Sequence, residues 1–99
     1  MTDLCNEIKN LGKGIGNANR YRILEILMEG HQTVSYIVKK VKLSQPAVSQ
    51  HLKTLKEYNL VTDSKKGQEV YYSINIAYTT KLLTNLVSNL NKQRKVNYK

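Results

Sequence analysis

One cysteine, one proline and no acidic residue after Glu69: the shortages of this 99-residue chain narrow its chemistry before any motif is considered. A lone Cys5 makes no disulfide or two-cysteine redox switch within one chain, and by itself it builds no structural zinc site. No apolar run approaches the roughly 18 residues that a membrane-spanning helix needs. The opening stretch MTDLCNEIKNLGKG has acids where a secretory signal is basic, and no apolar block follows, so the expected location is the cytoplasm. Catalytic groupings are missing too. No acid pair, nucleophile triad or metal cluster has workable spacing, and NLGKGIGNANR matches a dinucleotide-binding glycine pattern only loosely, with no strand before it. The expectation is a protein that is not an enzyme and carries no cofactor or metal.

Positive charge is what the chain has in excess: 16 Lys and Arg against 7 Asp and Glu, a formal net charge of +9. It is unevenly placed. Residues 1–38 are neutral, with four bases and four acids. Residues 39–72 set seven lysines against Glu57, Asp63 and Glu69, and residues 73–99 add five bases and no acid. Such a gradient suits a polyanion, either nucleic acid or an anionic membrane surface. A lysine-rich solvated surface gives the same totals, so charge alone does not decide. Length and a hydrophobic share of 40% fit one domain with one modest core.

Periodicity divides the chain. Leu4, Ile8, Leu11 and Ile15 recur at helical spacing, in a short amphipathic helix that ends in the glycines at 12, 14 and 16. Asn17 is a candidate N-cap for ANRYRILEILMEG, which stops at Gly30, and Thr33 for a helix that turns Val34, Ile37, Val38 and Val41 inward. VKLSQ turns the chain, and Ser44 caps a fourth helix in which Pro46 falls in the first turn, where no intrahelical N–H is required. After Tyr58 the period changes to that of strands. LVTDSKKGQEVYYSI reads as a β-hairpin turning at Lys66–Gly67, with Val70, Tyr72 and Ile74 on one face. Asn75 caps a last helix with the stripe Leu82, Leu83, Leu86, Val87 and Leu90, and residues 93–99 form a basic tail expected to fray. The expected fold is mainly α with a two-stranded β-wing, in the order α-α-α-α-β-β-α.

The fourth helix, from Gln45 to Tyr58, has an unusual surface. Val48, Leu52 and Leu55 share one narrow arc that holds it to the domain. The opposite arc carries Pro46, Ser49, Gln50, Lys53, Thr54 and Glu57, with Gln45 and His51 towards its edges. Solvated helices ordinarily mix Glu and Lys at i, i+4. Amides and hydroxyls at the N-terminal end suit base edges in a major groove about 12 Å wide instead. With the preceding helix and the short turn, residues 33–58 make a helix-turn-helix. The hairpin at residues 60–74 makes it winged, its tip of Lys65, Lys66, Gly67 and Gln68 placed for phosphates or an adjacent minor groove.

TVSYIVKKVKLSQPAVSQHLKTLKEYNLVTDSKKGQEVYYSI resembles the core of the ArsR/SmtB family of bacterial winged-helix repressors, and GNANRYRILEIL resembles that family's entry to the second helix. The resemblance covers about two-thirds of the chain. It implies a homodimer joined through the first and last helices (residues 1–15 and 76–92), with two recognition helices meeting an imperfect inverted repeat. On that reading Leu4, Ile8, Leu11, Leu82, Leu83, Leu86 and Leu90 form the interface; the two stripes exceed what so small a core needs, with closure of the monomer as the alternative. Ser44, Gln45, Ser49, Gln50, His51, Lys53, Lys65, Lys66, Gly67 and Gln68 are the candidate DNA contacts. The chain departs from the metal-sensing members. Thr33-Val34-Ser35 stands where one site type has Cys-Val-Cys, and the last helix lacks the Asp, His and Glu of the other. It resembles the metal-free branch.

Three single residues stay open. Cys5 is read as a small buried apolar side chain before a redox sensor, and His31 as a solvated loop residue. His51 either meets DNA, as the family's Ser-x-His-Leu pattern implies, or packs on a neighbouring helix. The expected function is a sequence-specific regulator of transcription, a homodimeric repressor on an inverted-repeat operator. The alternatives are an activator that displaces a silencing protein from AT-rich DNA and, less favoured, a winged-helix module for a protein partner. The inducer is not legible.

Overall fold

The computed structural model describes the backbone of residues 2–97 and the side chains of residues 5–92. Five helices and three strands follow in the order α1 (Thr2–Ile15), α2 (Ala18–Leu27), β1 (Gln32–Thr33), α3 (Val34–Val41), α4 (Gln45–Glu57), β2 (Val61–Lys66), β3 (Glu69–Ile74) and α5 (Ile76–Asn97). Four helices begin on the side chains that local chemistry favours there. Asn17 Oδ1 accepts from the backbone N–H groups of Asn19 and Arg20, Thr33 Oγ1 from Tyr36, Ser44 Oγ from Ala47 and Asn75 Oδ1 from Tyr78. Each bond satisfies a first-turn donor that the helix itself leaves unpaired.

The core is apolar throughout. Ile23, Leu24 and Leu27 of α2, Ile37 and Val41 of α3, and Val48, Leu52 and Leu55 of α4 interlock with Leu60 and Val61 at the start of β2. Helix α1 lies on this cluster through Leu11 and Ile15, and the wing through Tyr72 and Ile74.

The sheet is larger than the expected two-stranded wing. It has the antiparallel order β1-β3-β2, with Gln32 opposite Tyr72 and Thr33 opposite Tyr71 on one side, and six pairs from Val61–Ile74 to Lys66–Glu69 on the other. The added strand is two residues long, too short to show any period; the free edge of β3 recruits it. The two-residue hairpin loop opens on Gly67 at φ +63°, a conformation glycine adopts without penalty.

One helix end differs from expectation: α5 continues to Asn97, through most of the segment expected to fray. Helix α1 runs to Ile15, through Gly12 and Gly14. Gly14 is there because of a close approach: a Cβ on it would stand 2.5 Å from Leu60 Cδ1. Arg20 closes the end of α1, its Nε donating to Gly14 O at 2.6 Å and its Nη2 to Lys13 O at 3.0 Å. A cation at the negative end of a helix is favourable.

Helix α4 hands over to the wing by a Schellman turn. Asn59 takes the left-handed conformation at φ 64°, its N–H donates to Lys56 O at 2.9 Å, and Leu60 N–H donates to Leu55 O at 2.9 Å. The root of the hairpin is tied as well, because Asn75 N–H donates to Leu60 O at 2.9 Å.

Candidate nucleic-acid interface

Helices α3 and α4 are joined by Lys42, Leu43 and Ser44. Lys42 makes the turn in a left-handed conformation, φ 59° and ψ 40°, with its N–H returning to Val38 O. Only then does Ser44 start the reading helix. Val48, Leu52 and Leu55 of α4 are fully buried and anchor the helix to the domain along one arc. The face turned away from them is open: Gln45, Ser49, Gln50 and Lys53 are exposed, and so is Ser44, whose oxygen is engaged in the cap. These side chains reach solvent together from the first two turns, the end that a major-groove reader presents.

Beside this face stands the wing, with Lys65, Lys66, Gly67 and Gln68 all exposed at its tip. A salt bridge braces it against α4, Lys56 Nζ to Asp63 Oδ2 at 3.0 Å. Both side chains are partly solvated, so the pair is worth no more than about 1 kcal/mol; it restricts geometry more than it stabilises. The phenol of Tyr72, opposite Asp63 in the register, is pushed above its ordinary range by burial and then by the Asp63 carboxylate, with Lys56 opposing. Lys39, Lys40 and Lys42 are exposed on and after α3, with Lys40 Nζ 5.5 Å from the centre of the Tyr36 ring.

His51 is divided between two environments. The residue is half-buried, and its Nδ1 is covered and without a hydrogen-bond partner. Burial, and secondarily the Arg20 guanidinium, lower its pKa from the usual value of 6.5. Its covered nitrogen therefore faces the body of the domain.

His31 is exposed, yet it is not simply a solvated loop residue. Its ring meets Tyr71 edge-on, with centroids 5.1 Å apart and planes at 77°. Lys66 Nζ lies 5.9 Å from the centre of the same ring. The sequence contains no sign of this cluster, because β1 is what places His31 there.

The expected interface residues separate by burial. Leu82 is only 1% exposed and packs in the interior of its own chain, whereas Cys5, expected to be buried, is exposed on α1. Ile8, Leu11 and Leu86 are half-buried; Leu83 and Leu90 are 45% and 59% exposed. The side chain of Leu4 and those of residues 93–99 lie outside the described residues. Among the described residues no group of three or more His, Cys, Asp and Glu is placed to hold a metal ion, and no helix is long and apolar enough to cross a membrane.

Comparison with known proteins agrees with this geometry. Residues 17–63, from the cap of α2 to Asp63 in the wing, match the bacterial regulatory proteins of the arsR family. The chain is 32% identical over 85 residues to the transcriptional repressor SdpR of Bacillus subtilis, covering 86% of this chain and 94% of that protein. The structure of HlyU from Vibrio cholerae superposes with a TM-score of 0.73 at 30% identity, covering 87% of this chain and 97% of the other. The homodimeric winged helix-turn-helix DNA-binding domain Mb0332 of Mycobacterium bovis gives a TM-score of 0.74 over 99% of this chain and 91% of its own; at 22% identity this is a likeness of fold. A rigid polar reading helix, a lysine-tipped wing and sequence identity along most of its length place this chain in the arsR family of bacterial regulatory proteins, as a winged helix-turn-helix regulator of transcription.

Proposed function

We propose that the protein is a homodimeric repressor that occupies an inverted-repeat operator and excludes the transcription machinery from it. The observation that carries this reading is the exposed face of Gln45, Ser49, Gln50 and Lys53, held by a fully buried anchor next to the exposed lysines of the wing. Gln pairs with adenine, Ser with several bases, and Lys with guanine or phosphate. Lys65 and Lys66, with Gly67 and Gln68 between the strands, serve backbone phosphates and make binding steeply dependent on salt.

A dimer is favoured by the exterior of α5. Leu83, Val87 and Leu90 are 45%, 53% and 59% exposed, an apolar ridge that one chain leaves uncovered. At Leu83 the ridge meets an apolar hollow of about 210 Å³ between α1, α2 and α5, which Leu11, Ile15 and Met28 also line. Mb0332, whose fold this chain shares, is homodimeric. Two reading helices related by a two-fold axis fit half-sites about one helical turn apart.

The test begins with selection of duplexes from a random pool by the purified protein. An inverted repeat is expected, with affinity falling steeply as salt rises. Replacing Ser49 and Gln50 together by Ala reduces discrimination between selected and scrambled duplexes, while replacing Lys65 and Lys66 weakens both alike. Equal affinity of the wild-type protein for the two duplexes overturns the reading. One relative, HlyU of Vibrio cholerae, is a transcriptional activator. A reporter behind the selected site separates the two outcomes: deleting the protein raises expression for a repressor and lowers it for an activator that displaces a silencer.

A further inference from the structure

On the outward face of the sheet, one aromatic ring decides where the charge of a wing lysine resides. Lys66 and Glu69 are directly paired across the hairpin, so a carboxylate is the ammonium's nearest opposite-charge candidate. Yet among the described residues the one ion pair is Lys56–Asp63. Lys66 Nζ instead lies over Tyr71, the diagonal neighbour two residues along β3, at 5.9 Å from the ring centre. The ring makes a T-shaped contact with His31, centroids 5.1 Å apart, and its backbone is held between Thr33 of β1 and Ser64 of β2.

The two arrangements differ in what they leave for a ligand. An ammonium on a carboxylate is neutralised, as Lys56 is by Asp63. An ammonium over a ring is attracted by a quadrupole, keeps its full charge, and retains N–H donors for another anion. We propose that Tyr71 is a positioning residue for DNA binding: its ring holds Lys66 away from Glu69 and fixes that charge, un-neutralised, at the wing tip for a backbone phosphate. This rests on the reading of the wing as a phosphate-contacting element.

The test compares full-length wild type with Tyr71→Leu, Tyr71→Phe, Lys66→Ala, Glu69→Gln and the double variants, on the selected operator duplex across a salt titration. Tyr71→Leu binds roughly two- to fivefold more weakly, the size of an exposed cation–π contact. The slope of log affinity against log salt falls by about one per bound chain, as it does for Lys66→Ala. Tyr71→Phe, which keeps the ring, behaves as wild type, and Tyr71→Leu adds nothing in the Lys66→Ala background. In the Glu69→Gln background no carboxylate can capture the lysine, and adding Tyr71→Leu there leaves affinity unchanged. A purely structural role for the ring makes Tyr71→Leu cost as much in that background as in wild type. Such a result overturns the proposal, as does wild-type affinity for Tyr71→Leu alone. In the free protein, Lys66 side-chain protons show a ring-current upfield shift that Tyr71→Leu abolishes; no shift in wild type also overturns it. Failure of the wild type to prefer operator over scrambled duplex, with the ring-current shift present, counts against the functional reading and not against the placement of Lys66.

Discussion

His51 lies on the border between the buried and open arcs of α4, which is why its surroundings were not legible from the sequence. Its covered Nδ1 and the Arg20 guanidinium both disfavour the imidazolium, and Arg20 comes from another helix far along the chain. The sign of the consequence is definite. Well above pH 6.5 the ring is neutral whether the chain is folded or not, and it leaves stability unchanged. As the pH falls below 6.5 the unfolded chain takes up the proton first, so stability declines until the depressed folded value is passed. Urea midpoints measured from pH 7.5 downwards should therefore fall more steeply for wild type than for His51→Gln in that window. Parallel curves would remove the burial of His51 as the cause. Gln45, Ser49, Gln50 and Lys53 were plain in the sequence because they sit opposite a three-residue apolar arc; Leu82 was not, since adjacent positions on α5 differ by 100° and either Leu82 or Leu83 could have faced inward.

Helix starts were the most legible elements. Asn17, Thr33, Ser44 and Asn75 all cap as their local chemistry requires, because a cap depends on two or three neighbouring residues and little else. Strand β1 and the close packing of α1 depend on distant partners and leave no periodic signal. The glycines of α1 show the difference. Gly12 has open space where a Cβ would stand, whereas at Gly14 that Cβ meets Leu60 and, at 3.6 Å, Tyr58. Gly12→Ala should stabilise the protein by up to about 1 kcal/mol through helix propensity alone. Gly14→Ala should destabilise it by about 1–3 kcal/mol, since either α1 or the buried Leu60 side chain must shift. Chemical denaturation of the two variants checks the pair; equal effects would mean that the close approach does not matter.

At the scale of the whole molecule the shape is uneven, with extents of 57 × 24 × 23 Å. Helix α5, 22 residues and so about 33 Å long, accounts for much of that length. Its outer residues add little to the chain's own core, which is the physical argument for a second copy. Val87→Glu combined with Leu90→Glu is expected to give a monomer by sedimentation, with unchanged helical content, because neither side chain is buried in its own chain. Operator affinity should drop on the order of a hundredfold, as two linked half-site contacts become independent. A stable dimer of that variant would place the interface elsewhere.

The hydrogen bond from Asn75 to Leu60 turns the base of the hairpin into a closed loop, and Asn75 is at the same time the cap of α5. One residue thus ties the longest helix to the root of the β-ribbon and to the outgoing end of α4. If two copies pair through α5 as proposed, the angle between those helices sets the separation of the two faces that carry Gln45 and Gln50.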